Sequence, residues 1–293
     1  GSGWGESGYF YVSYYDSKIN YSLALWPDAG YYYSDAELYH YDELGYIGSF
    51  GYGSNTGYGL AKFTASGTQA LTKISTFVPG AGAQLEIRVY DTYQGGSLSG
   101  ELASITGITC DYAGYYTFDL SEYIDLCTGD DFYVMIRYNT PSYNYPIPVE
   151  YDYPGYSDAD IESGVCWISS NGSVWSPIGA GTGTEYDLCI RAYAKTYQNG
   201  QTLEDVIVRQ GETEAHLSTS TITAAGSSST YYIDGNGAAG GNVTMTAYTR
   251  INLKPGFTAK NGCSFHAFID GSPCGGSPRI SKEEQAVLNP ASV

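Results

Sequence analysis

Between Leu38 and Ala194 the chain reads as short runs of alternating apolar and polar residues, punctuated by turn residues. In QLEIRVYDTY, Leu85, Ile87 and Val89 alternate with Glu86, Arg88 and Tyr90, the period-two pattern of a strand with one buried face. AKFTASGTQALTKISTFVPGAG holds two strands separated by Ser66–Gly67. YYTFDLSEYIDL and DDFYVMIRYNT continue the pattern, and VCWISSNGSVWSPI predicts a hairpin with Asn171–Gly172 at its turn. Many short strands at near-regular spacing predict an all-β protein, a jelly-roll β-sandwich. Near Tyr197 the aromatics thin out and Ala, Ser, Thr and Gly rise. Strands then recur about every ten residues, as in VTMTA, which points Val243, Met245 and Ala247 inward. Such strands cannot pack alone, so a small C-terminal β-arc, solenoid-like module is expected.

Composition sharpens this picture. Of 293 residues, 32 are Tyr and 38 are Gly, which favours strands and turns over helices. The net charge of −18 disfavours nucleic acid and anionic membranes as partners. No apolar stretch is long enough to span a membrane. The chain starts at Gly1 without a signal peptide, which reads as a processed product or a fragment. Cys110, Cys127, Cys166, Cys189, Cys263 and Cys274 form no CxxC pair. Zinc is therefore not expected, and disulfides in an oxidising, extracellular setting are. Nearest-neighbour pairing gives Cys110–Cys127, Cys166–Cys189 and Cys263–Cys274; buried thiols are the alternative.

Candidate chemistry is sparse. His40, His216 and His266 sit in no nucleophile motif, and His40 and His266 read as packing residues on strands. Glu150, between apolar and aromatic neighbours in YPIPVEYDY, reads as a buried, hydrogen-bonded acid; a general acid in an unrecognised enzyme site is the alternative. Asp42 in YHYDELG and Asp187 in TEYDLC lie on an early and a late segment that a jelly roll brings together, which suits a structural calcium ion; ordinary loop acids are the alternative. Tyr143, Tyr145, Tyr153 and Tyr156 crowd a proline-stiffened segment. They form either a ligand-recognition surface or a loop packed over one end of the sandwich.

Several segments resemble known families. GWGESGYFYVSYY resembles the last strand of papain-family cysteine peptidases, whose catalytic Cys, His and Asn would all fall before residue 1. LYHYDELGYIGSFGYGSN, CDYAGYYTFDL, TPSYNYPIPVEY, WISSNGSVW and CIRAY resemble the lectin-like domain that follows some bacterial papain-type surface peptidases. That resemblance implies a jelly roll, often with bound calcium, and binding of carbohydrate or cell wall. INLKPGFTAKNGCSFHAFI resembles the coathanger-stack β module of secreted Bacteroidetes-type proteins, and VLNPASV resembles the start of a type nine secretion tail. The resulting expectation is a remnant peptidase strand over 1–17, a lectin-like domain over 18–196, a β-arc module over 197–271 and a linker over 272–293. The chain would be the non-catalytic part of a secreted, surface-bound cysteine peptidase, binding glycan, wall polymer or another surface component. An adhesive or filament-forming subunit that self-associates by strand addition is the rival expectation.

Overall fold

The computed structural model describes residues 36–226, 228–235, 240–269, 271 and 274. The expected peptidase strand and nearly all of the linker lie outside them. Among the described residues there is no helix, and so none long and apolar enough to cross a membrane. The first thirteen strands are β1 (Ala36–Tyr39), β2 (Gly48–Phe50), β3 (Thr56–Thr64), β4 (Gln69–Val78), β5 (Ala83–Gln94), β6 (Ser97–Cys110), β7 (Gly114–Leu126), β8 (Asp131–Asn139), β9 (Ile147–Glu150), β10 (Cys166–Ser169), β11 (Ser176–Ile178), β12 (Asp187–Leu188) and β13 (Ile190–Thr196).

They form antiparallel sheets in the orders β1-β13-β4-β7, β11-β10-β3-β8-β5-β6 and β12-β9-β2. The four- and six-stranded sheets face each other as a β-sandwich. Leu71, Ile74, Ile124 and Ala192 from one meet Phe63, Ile87, Val134 and Ile136 from the other in a single core. The alternation in β5 holds: Leu85, Ile87 and Val89 are all buried. The β10–β11 hairpin forms, but its connection is longer than a two-residue turn. Cys166 pairs with Ile178, and Asn171 Oδ1 accepts the amides of Ser173 and Val174 inside the loop.

From Gln201 the pairing changes from antiparallel to parallel. Nine strands follow: β14 (Gln201–Leu203), β15 (Val206–Val208), β16 (Thr213–Ser218), β17 (Thr221–Ala224), β18 (Tyr231–Ile233), β19 (Asn242–Ala247), β20 (Arg250–Leu253), β21 (Phe257–Ala259) and β22 (Ser264–Ile269). They stack as three sheets, β14-β17-β20, β15-β18-β21 and β16-β19-β22, so each set of three consecutive strands is one rung of a three-sided solenoid. A strand of three residues buries too little to stand alone. Stacked, Val208, Ile222, Ile233, Val243 and Met245 share a core, and Tyr231, Phe257 and Phe265 contact ring to ring through it. At the β20–β21 corner Gly256 has φ +104°, and a Cβ there would lie 2.3 Å from the Ser229 carbonyl oxygen, so only glycine fits.

The two β modules are tightly joined. Ala70 and Tyr197 pack with Leu217 of β16, with Tyr123 and Tyr248 alongside. The Tyr197 hydroxyl donates to Asp125 Oδ1 at 2.5 Å.

The cysteine pairing differs from the neighbour rule. Cys127, at the turn after β7, is bonded to Cys274 beyond the last rung, 147 residues away. Cys110, Cys166, Cys189 and Cys263 are thiols. Cys110, Cys166 and Cys189 are almost fully buried. Burial pushes the Cys110 thiol up to about 11, which leaves it unreactive. His266 also departs from expectation, for it is exposed on the outer face of β22.

Candidate functional site

The small sheet β12-β9-β2 carries the most distinctive surface. Pro146 and Pro148, whose fixed φ suits extended chain, flank Ile147 in and beside β9 and lead straight into Glu150. On either side of this strand the sequence is tyrosine-rich. Tyr143 and Tyr145 meet edge to face at 6.1 Å, as do Tyr153 and Tyr156. All four are solvent-accessible, from 36% for Tyr143 to 80% for Tyr156. Residues outside the sequence-predicted set link the two pairs. Tyr153 contacts Tyr151, Tyr151 contacts Tyr186, Tyr186 contacts Phe50, and Phe50 contacts Tyr52. A Cβ at Gly51, beside Tyr52, would lie 2.6 Å from the Tyr145 Cα, so the loops touch there. The result is two exposed tyrosine pairs flanking β9, with the half-buried Phe50, Tyr151 and Tyr186 packed against the core between them. A second aromatic group, on the outer face of the six-stranded sheet, is not open in this way. Tyr93 and Trp167 meet at 4.9 Å over it, and Leu60, Tyr133 and Met135 beneath are buried.

β9, β12 and the turn after β1 also bring together a group of buried acids. Asp42, Glu150 and Asp187 are all fully buried. The turn Asp42–Gly45 closes with the Gly45 amide donating to the Asp42 carbonyl at 3.2 Å, and Gly45 takes φ +79°. That turn aims the amides of Glu43 and Leu44 at the Glu150 carboxylate, which accepts both. Burial raises Glu150 above the ordinary carboxylate range, and these donors oppose the rise.

The two acids expected to ligate metal meet different surroundings. Asp42 is held by Arg191, whose Nε lies 3.0 Å from each carboxylate oxygen and whose Nη2 donates to the Asp42 carbonyl at 3.1 Å. Its charge is thus already matched. Asp187 stands directly across from Glu150 in the β12–β9 pairing. Its Oδ2 accepts the Glu162 amide at 3.1 Å, but its Oδ1 and Glu162 Oε2 are buried without a hydrogen-bond partner among the described residues. Burial, then the nearby Glu162 and Glu150 charges, push Asp187 up to about 7 against the Glu162 amide. Two buried orphan carboxylate oxygens fit a hard cation or a shared proton. Among the described residues, however, no three His, Cys, Asp or Glu side chains converge as a ready metal site. Any ion here would need backbone oxygens or water as well.

Sequence reasoning missed Arg191 and Glu162. Arg191 occupies an ordinary alternating position in CIRAY, and its partner is 149 residues distant.

A family model described as "Lectin like domain" matches residues 38–194. Two solved structures of the clostridial cysteine protease Cwp84 are similar. One, a variant after propeptide cleavage, is 21% identical with a TM-score of 0.45, covering 56% of this chain and 41% of that one. The other holds the cysteine protease and lectin-like domains of Cwp84, described as a surface layer associated protein of Clostridium difficile. It is 21% identical with a TM-score of 0.43, covering 56% of this chain and 36% of that one. This chain therefore matches less than half the length of either. A search of curated proteins finds no match. The family match takes in the sandwich from Leu38 to Ala194, more than half of the chain, and this protein belongs to the lectin-like domain family.

Proposed function

We propose that this chain is the non-catalytic, surface-binding part of a secreted papain-type cysteine peptidase, and that it holds the enzyme at the cell surface by binding glycan or wall polymer. The observation that carries the reading is the two exposed edge-to-face tyrosine pairs, Tyr143 with Tyr145 and Tyr153 with Tyr156, that flank β9. Flat exposed rings offer apolar faces to the CH face of a pyranose, and their hydroxyls offer hydrogen bonds to its rim. The rings stand on the segments that flank β9, and Pro141, Pro146, Pro148 and Pro154 stiffen that stretch, so little ordering cost accompanies binding. Membership of the lectin-like family supports an accessory role. The three-rung module, read as the coathanger-stack type, would serve as a spacer.

In the same reading a calcium ion stabilises the sheet that carries the rings. Asp187 and Glu162 would hold it through their orphan oxygens, while Asp42 stays with Arg191. The ion would supply positive charge to a layer of buried carboxylates.

The test is a pull-down on purified bacterial cell walls and insoluble polysaccharides. Retention of the wild type, lost in the Tyr145→Ala/Tyr153→Ala double variant at unchanged melting temperature, is the expected result. Equal retention of both proteins would remove the aromatic surface from consideration.

A further inference from the structure

A second candidate site lies where the sandwich meets the solenoid, and it shares no residue with the aromatic surface. The outer face of β16-β19-β22 turns towards β6 and β7. On β16 the layers touch, with Leu217 fully buried against Ala70 and Tyr197. Thr246, next to Leu217 in register, points out of the solenoid yet is also fully buried. Towards β22 and the start of β19 the layers stand apart. They leave a cleft of about 290 Å³ between Ser104, Asp119 and Glu122 on one side and Asn242, Thr244 and His266 on the other. Phe268 also lines it.

The lining is chemically specific. Asn242, Thr244, His266 and Phe268 occupy outward positions on neighbouring strands, with Thr244 directly opposite His266. His266 and Phe268 stack nearly parallel, 9° apart with centroids at 6.2 Å, and Phe268 is 40% exposed. Asp119 Oδ1 is fixed by Lys73 Nζ at 2.7 Å. The cleft thus combines a flat ring with amide, hydroxyl, imidazole and carboxylate groups at its rim. No Lys or Arg stands among its described lining residues, and the chain carries −18 overall. Anionic ligands are disfavoured on both counts. The volume lies at the small end of the roughly 300–1,000 Å³ typical of ligand pockets, enough for one or two sugar rings. The walls are also fixed relative to one another. Tyr197 packs on Tyr248 at 5.2 Å, and the Cys127–Cys274 bond ties the sandwich to the chain beyond the last rung.

We propose that this cleft binds the end of a saccharide chain, one or two neutral or amino-sugar rings deep. The proposal does not rest on the aromatic surface and has its own test. The full chain is titrated with glucose, glucosamine, N-acetylglucosamine, its β-linked dimer and glucuronic acid, with binding followed by saturation-transfer NMR and calorimetry. At least one neutral or amino sugar should bind at millimolar concentration, and glucuronic acid should not. Asn242→Ala and Phe268→Ala, both outside the solenoid core, should each weaken that binding about tenfold or more, a loss of ~1.4 kcal/mol. In the Tyr145→Ala/Tyr153→Ala background, which removes the aromatic surface, the same sugar should still bind, and each cleft substitution should weaken it by the same factor. The proposal is overturned if no sugar binds in that background, if only glucuronic acid binds, or if binding there survives both cleft substitutions. Failure of wall retention with intact sugar binding would sink the aromatic-surface reading alone.

Discussion

Replacing Arg191 by Met removes the partner of a fully buried carboxylate. Asp42 loses two contacts at 3.0 Å and its carbonyl loses a third at 3.1 Å. Breaking a buried pair from one side typically costs 3–5 kcal/mol. Here the cost has a ceiling that depends on pH, because Asp42 can take up a proton instead of remaining charged. Holding it neutral costs about 1.4 kcal/mol for each pH unit above its ordinary value of 3.8. The ceiling is therefore roughly 4 kcal/mol at pH 7 and roughly 1.6 kcal/mol at pH 5. The sign follows from linkage. Burial already raises Asp42, and losing Arg191 raises it further. A carboxyl group with a raised folded value loses stability as pH rises, since the unfolded chain has released a proton that the folded chain still holds. The deficit of Arg191→Met against wild type should thus shrink on acidification. Urea unfolding at pH 7 and pH 5 measures it. A pH-independent part is expected as well, from the guanidinium lost over the Tyr115 ring at 5.6 Å. Adding Asp42→Asn should recover about 2 kcal/mol or more at pH 7, because the orphaned charge is gone. An Arg191→Met deficit equal at the two pH values, or a double variant no better than the single, would refute the reasoning.

Peptide mapping under non-reducing conditions should recover Cys127 joined to Cys274. Cys274→Ser should lower unfolding stability by up to about 5 kcal/mol, the chain-entropy value for a loop of 147 residues. An unchanged denaturation midpoint would mean the bond does not constrain the unfolded chain. Chelation with EDTA at neutral pH should lower the melting temperature of the wild type but not of Asp187→Asn, and an unmoved wild-type melt removes the cation. Tyr138→Phe should cost about 1–2 kcal/mol by urea unfolding, since it deprives buried Thr76 Oγ1 of a partner at 2.8 Å. A loss below ~0.5 kcal/mol would show that Thr76 is satisfied by the Cys189 carbonyl alone.

What the sequence disclosed and what it hid divide along one physical line. Alternation reports which side of a strand a residue faces, so the buried sets Leu85, Ile87, Val89 and Val243, Met245, Ala247 were readable directly. It does not report what covers that side. Thr246 alternates outward as expected and is nevertheless fully buried, because Leu217 beside it is docked on the sandwich. The tyrosine cluster was visible because its members are neighbours in sequence. Phe50 and Tyr186, which pack between its two halves, arrive from β2 and from the loop before β12. The same limit governs the acids. Composition made 31 carboxylates equivalent, and only register distinguishes them. Asp187 opposes Glu150 because β12 pairs with β9, and Asp42 meets Arg191 because β13 returns beside the turn after β1. A buried carboxylate is costly or tolerable according to a partner that may be 149 residues away, so its chemistry follows from the topology and not from the local motif. By that measure Asp42 and Asp187, alike in sequence context, are different groups. One is neutralised within the chain, and the other has a buried oxygen without a hydrogen-bond partner among the described residues.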